Sequence, residues 1–135
     1  MPERAARTVL AFDFGLKRIG VAVGEPELGT AHPLSPIAAA GDARFTAIEK
    51  LVHEWKPAQL VVGLPLSAEG RAHLMTRQAE RFARRLQSRF RLPVARVDER
   101  FTSVEAESRL RGQKKKSVDS VAAQLMLEQY FDELA

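Results

Sequence analysis

The chain contains no cysteine. That absence removes disulfides, zinc–thiolate and iron–sulfur centres, and cysteine nucleophiles from consideration, and it is consistent with the cytoplasmic location expected here. Histidine is scarce as well: His32, His53 and His73 stand far apart and lack ligand spacing, so none is assigned to a metal. No apolar run approaches the roughly 20 residues that a bilayer span needs. Asp13, Lys17 and Arg18 interrupt the only early apolar stretch, so no signal-peptide core is expected. The protein is therefore expected to be neither secreted nor inserted in a membrane. Linkers, repeats and low-complexity segments are also missing.

What is present is a soluble, globular balance: 135 residues, 45% hydrophobic and 28% charged. This length suits a single domain over 1–135 with a real core. Lys and Arg total 21 against 17 for Asp and Glu, a net charge of +4, which is a mild bias toward polyanionic partners.

The hydrophobic pattern predicts strands over Thr8–Phe14 and Ile19–Gly24, joined too tightly for anything but an antiparallel hairpin. A third strand is expected over Leu34–Ala38, with Pro33 and Pro36 suiting a sheet edge or strand end. A helix over Ala43–Trp55 carries Ile48, Leu51, Val52 and Trp55 at helical spacing and stops before Pro57. Ala58–Leu64 reads as a buried strand, and Arg71–Phe90 as a long amphipathic helix with Met75, Ala79, Phe82, Ala83, Leu86 and Phe90 on its apolar stripe. Val94–Asp98 is the last strand. A helix from Thr102 to about Leu110, a basic loop Gly112–Lys116, and a final helix capped by Ser117 complete the chain. This order predicts an α/β fold: a five-stranded mixed sheet, an antiparallel meander of three strands followed by two parallel strands, flanked by helices.

Three acids stand out. Asp13 lies in an otherwise apolar strand, where a carboxylate without a partner is costly. Glu99 stands just past the Val94–Asp98 strand, and Asp119 in the first turn of the last helix. A sheet with a helix packed on it can bring such distant positions together. Phosphodiester hydrolysis uses such a set, because two divalent cations about 3.5–4 Å apart can serve both ends of an in-line displacement. Carboxylates without Cys or paired His favour Mg²⁺ or Mn²⁺ over zinc. Ala122 and Ala123 share a helix face with Asp119 and leave room there. Each acid also has a plain structural reading: Asp119 answers the helix macrodipole, Glu99 is an ordinary charge after a strand, and Asp13 is a hydrogen-bonded strand-end acid.

The stretch Phe12–Gly24 (FDFGLKRIGVAVG) closely resembles the opening motif of the YqgF (RuvX) family, described as Holliday-junction resolvases and as nucleases maturing the small-subunit ribosomal RNA precursor. Three further blocks agree in order and spacing: Val61–Leu66 (VVGLPL) with Gly70, Val97–Glu107 (VDERFTSVEAE) and Lys115–Ala123 (KKSVDSVAA). The resemblance runs from about Thr8 to Phe131. It implies an RNase H-like fold and a bacterial cytoplasmic nuclease, and it maps the family's acidic site onto Asp13, Glu99 and Asp119. Ser67 stands where the family commonly has Asn, which leaves any amide contact there in doubt; Phe101 stands where Leu is common.

Several cations are candidate substrate contacts. Lys17 and Arg18 occupy the hairpin turn, with Gly15 and Gly20 permitting close backbone approach. Arg100 could fork onto a phosphate or pair with Asp98. Lys114, Lys115 and Lys116 precede the helix carrying Asp119 and are read either as a substrate clamp or as a solvated loop. Arg77, Arg81, Arg84, Arg85 and Arg89 on the long helix form a second basic surface or an ordinary polar face.

The expected activity is metal-dependent endonucleolytic cleavage of structured RNA or branched DNA by a monomer or homodimer. Processing of the 5′ end of the small-subunit rRNA precursor in ribosome biogenesis is favoured, with Holliday-junction resolution as the alternative. A nucleic-acid-binding factor without turnover is the competing class. A phosphotransferase is disfavoured, because the chain is short for a second domain and has no Gly-x-x-x-x-Gly-Lys-[Ser/Thr] loop.

Overall fold

A computed structural model of the protein describes residues 7–15, 17–38, 41–65, 73–98 and 118–134, with side chains of the last segment described from Ser120. Among these residues the strands are β1 (Val9–Asp13), β2 (Ile19–Glu25), β3 (Thr30–Ile37), β4 (Gln59–Leu64) and β5 (Val94–Asp98). The helices are α1 (Ala43–Trp55), α2 (Leu74–Phe90) and α3 (Val118–Leu134). The strand order is β3-β2-β1-β4-β5. β1 runs antiparallel to β2 and β2 to β3, whereas β1–β4 and β4–β5 are parallel. The expected three-strand meander followed by two parallel strands is the observed sheet.

The period of two along each strand sorts side chains to opposite faces. Leu10, Phe12, Val21, Leu60 and Val62 face α1 and α2, where they meet Phe45, Ile48, Phe82 and Leu86. Phe82 anchors this layer, with ring centroids 5.0 Å from Phe14, 5.8 Å from Phe45 and 6.2 Å from Phe12. Each such ring, removed from water, contributes about 1.5–3 kcal/mol. On the other face Val9, Ala11, Ala22, Val61 and Val97 pack against Ala123, Met126, Leu127 and Phe131 of α3.

Two boundaries differ from expectation by three residues or more, the other strand ends by at most a single residue. β3 begins at Thr30 rather than Leu34. The polar residues and Pro33 hide this strand from an apolar pattern, but as an edge strand it needs only β2 as a partner, and Pro33 pairs there with Ala22. α2 begins at Leu74 rather than Arg71, because His73 is extended (φ −139°) and its N–H donates to Thr76 Oγ1 at 3.1 Å. The Thr76 hydroxyl in turn donates to the Pro65 carbonyl, fastening the start of α2 to the exit of β4. Thr76 is buried, a polar member of a stripe whose sequence pattern showed only apolar residues. α1 has its expected bounds; Lys56 turns left-handed (φ 48°) just before Pro57. The helix expected over Thr102–Leu110, the Gly112–Lys116 loop and the Ser117 cap lie outside the described residues.

Candidate active site

β1, β4 and β5 are parallel and end on one edge of the sheet, the edge where open α/β sheets place ligands. Asp13 is the last residue of β1 and is half-buried. It alternates with Val9 and Ala11, so it belongs to the face that α3 covers.

Its neighbours on that face are unusual. On β2 its partner is Gly20. On β4 the Phe12–Val62 pair places Gly63 one step further along, level with Asp13, and Gly63 pairs in turn with Val97 of β5. The row across the sheet therefore reads Gly20, Asp13, Gly63, Val97. With glycine on both flanks, neither neighbouring strand puts a side chain beside this carboxylate. The room the two glycines leave along the sheet suits a hard divalent cation, which keeps part of its water shell.

The polarity of α3 points the same way. Near its start, Ser120 is buried and its Oγ accepts a hydrogen bond from the Val21 N–H at 3.3 Å. That N–H lies where the β2–β3 register shifts, the kind of irregularity that interrupts ladder hydrogen bonds. Towards the far end of α3, Tyr130 Oη accepts from Gln59 Nε2 at 2.8 Å, at the beginning of β4. The helix thus begins at the edge where Asp13 lies and runs back along the sheet. Asp119 is in its first turn, immediately before Ser120.

Of the three acids singled out in the sequence, Asp13 is the one whose side chain is described. Glu99 lies outside the described residues, as does the side chain of Asp119. Among the described residues no group of three metal-ligating side chains occurs. Lys17 and Arg18 are exposed on the β1–β2 turn. That turn is tight: a Cβ on Gly15 would collide with the Arg18 carbonyl oxygen. Arg100, Lys114, Lys115 and Lys116 lie outside the described residues. Sequence reasoning missed Ser120 and the position of Gly63 beside Asp13. A serine three residues into a helix carries no signal of its own, and the level of Gly63 is fixed by strand register.

Among solved structures, Thermus thermophilus RuvC in complex with Holliday junction substrate matches with a TM-score of 0.60 at 15% identity, over 94% of this chain and 95% of that one. The Fowlpox virus resolvase bound to Holliday junction DNA matches with a TM-score of 0.55 at 10% identity, over 94% and 98%. These likenesses define the fold as RNase H-like, of the kind seen in RuvC-type resolvases. Within it, the chain belongs to the RuvX family, whose model, described as Holliday junction resolvase, matches residues 7–133. A relative from Methylobacillus flagellatus is 55% identical over 100% of this chain and 99% of its own length. One from Dechloromonas aromatica is 58% identical over 93% of this chain and 90% of its own. Both carry the name "Putative pre-16S rRNA nuclease".

Proposed function

We propose that the protein is a single-domain, divalent-metal-dependent endonuclease that hydrolyses nucleic-acid phosphodiester bonds, and that its substrate is the 5′ end of the pre-16S ribosomal RNA. The observation that carries this reading is the row Gly20, Asp13, Gly63, which sets the half-buried Asp13 carboxylate between two glycines at the ligand-binding edge of the sheet where α3 begins. Two further acids complete the donor set. In the sequence, Glu99 directly follows Asp98, the last residue of β5, whose end lies at the same edge as that of β1. Asp119 directly precedes Ser120, which is tied to the residue next to Gly20.

Asp13, Glu99 and Asp119 would hold Mg²⁺ or Mn²⁺, which when bound supply positive charge to both ends of an in-line displacement. Lys17 and Arg18 at the turn, Arg100, and the Lys114–Lys116 loop would hold the phosphate backbone. The RNA assignment rests on the names of relatives more than 50% identical. Work on that RNA would fall in the cytoplasm. No described helix is long and apolar enough to cross a membrane.

The family description favours a second reading, resolution of DNA four-way junctions. A symmetric junction calls for a two-fold symmetric dimer, whereas a cut near one RNA end does not. The deciding experiment compares cleavage of precursor rRNA and of a four-way DNA junction, with Mg²⁺ or Mn²⁺. Asp13→Asn serves as control and is expected to abolish cleavage while leaving the fold intact. Binding without cleavage, indifferent to metal, would replace the nuclease with a binding factor.

A further inference from the structure

The residue after Asp13 opens onto the opposite face of the sheet. Phe14 packs there against Phe82 and forms one wall of a cavity of about 160 Å³, whose remaining walls are Arg44, Gln78, Arg81 and Arg85. Arg44 stands in the first turn of α1, and its guanidinium lies 5.3 Å from the Phe14 ring centroid and 5.6 Å from that of Phe82. Arg85 lies 4.4 Å over the Phe45 ring. The aromatic rings therefore hold two planar cations in place beside a third, Arg81.

This arrangement is electrostatically incomplete. Arg44 Nε and Gln78 Oε1 are both buried without a hydrogen-bond partner, a state that costs free energy; an anion's oxygen can accept from the Arg44 Nε–H, and the Gln78 amide offers it a donor once turned by about 180°. The nearby carboxylate, Asp42, pairs with Arg85 at 3.2 Å, but its own side chain is 89% exposed and compensates weakly. Burial, with the adjacent Arg85 charge adding to it, holds the Arg44 guanidinium below its ordinary value, and Asp42 offsets part of this. An anion would relieve both causes. A second cavity, of about 250 Å³ and lined by Phe45, Arg85, Ser88 and Arg89, shares Arg85 with the first.

We infer that the Arg44–Arg81–Arg85 cavity is a docking site for a backbone phosphate of the nucleic-acid substrate, away from the bond that is cut. The inference rests on the nuclease reading and deepens it. Asp13 and Phe14 are consecutive residues on opposite faces of one strand end. A single strand passing over that edge reaches the acid on one side and the arginine cavity on the other. A polymer with regularly spaced phosphates suits two cavities that share an arginine. Guanidinium forks suit the shape of each phosphate.

The test uses the full chain, with precursor rRNA and a four-way DNA junction as probes. Binding is followed by fluorescence anisotropy over a salt series in chelator, and cleavage is followed with Mg²⁺. Arg81 makes no ion pair or ring contact among the described residues, so Arg81→Gln should leave the melting temperature unchanged. It should weaken binding about tenfold, the scale of one lost charge-assisted contact. It should also flatten the dependence of log K on log salt by about one unit. Arg44→Gln should weaken binding in the same way, and Arg44→Lys, which keeps the charge and loses the fork, should recover only part of the loss.

Wild-type affinity and salt slope in both Arg81→Gln and Arg44→Gln, with wild-type cleavage intact, would overturn the site and leave the nuclease standing. Loss of binding in the variants alongside a wild type that never cleaves would overturn the nuclease and leave the site. Thermal stabilisation by inorganic phosphate or a mononucleotide that vanishes in Arg81→Gln, with polymer binding unaffected, would reassign the cavity to a free small anion and sink the inference.

Discussion

Ser120 Oγ accepts the Val21 N–H at 3.3 Å, a bond that ties the first turn of α3 beside Gly20, the strand partner of Asp13. The bond is buried, and it joins residues 99 apart in sequence. Ser120→Ala leaves the Val21 N–H without its acceptor, which costs about 1–3 kcal/mol. Urea unfolding should show that loss. If Ser120 also places Asp119, cleavage by the folded variant should fall at limiting Mg²⁺ and recover in part as Mg²⁺ is raised. Unchanged unfolding and an unchanged Mg²⁺ requirement would mean that the helix start is held by something else.

Gly63 makes a sharper test of the space around Asp13. Gly63→Ala adds a methyl group on the α3 face, level with the carboxylate. Within a strand, alanine in place of glycine relieves backbone entropy by about 0.5–1 kcal/mol, so stability should change little once local crowding is counted. Metal binding should suffer far more. A calorimetric titration with Mn²⁺ should show affinity reduced by tenfold or more, on the order of 1.4 kcal/mol. A variant that binds Mn²⁺ as the wild type does would show that the glycine beside Asp13 is not there to make room.

These two residues show where sequence reading stopped. Asp13 was legible because a carboxylate inside VLAFD violates the composition of a buried strand. α1 and β5 were legible to the residue, because Pro57 and Pro93 bracket strongly patterned segments. β3 was not, because an edge strand takes its conformation from β2 and needs no apolar pattern of its own between Thr30 and Pro33. Gly63 stands in the sequence only as part of the VVGLPL block, and its level opposite Asp13 follows from β1–β4 register, a property of pairing that no local pattern encodes. The arginines of α2 were legible as charges. That Arg81 and Arg85 share one cavity with Arg44, Phe14 and Phe82 required two helices packed on one ring cluster.

Gly24 provides a control at the opposite end of the sheet. A Cβ there would lie 2.5 Å from the Thr30 carbonyl oxygen, 3.0 Å from the Phe131 ring and 3.1 Å from the Ala31 Cα. Two of these three neighbours are backbone, so Gly24→Ala should overpack the β2–β3–α3 junction and cost about 1–3 kcal/mol. Because the site lies at the other edge, cleavage per folded molecule and Mn²⁺ affinity should match the wild type below the lowered melting point. Thermal melts with and without Mn²⁺ check both halves, and a matching loss of metal affinity would show that the two ends of the sheet are coupled.

Asp119 separates the metal site from its plainer structural reading by the sign of a stability change. A lone acid in the first turn of a helix interacts favourably with the macrodipole, typically by about 0.3–1 kcal/mol. On that reading Asp119→Asn lowers the melting temperature, with or without metal. If Asp119 instead shares a site with Asp13 and Glu99, the metal-free protein holds three carboxylates at close quarters, and like charges brought together oppose folding. Neutralising one then raises the melting temperature in chelator. The same substitution removes a ligand, so the stabilisation that Mg²⁺ or Mn²⁺ adds to the wild type, RT ln(1 + [L]/Kd), shrinks. Glu99→Gln should behave alike on both counts. The expected pattern is a crossing: both variants melt above the wild type in chelator and below it in excess Mn²⁺. A variant that melts below the wild type under both conditions by the same margin returns that acid to a structural role and removes it from the site.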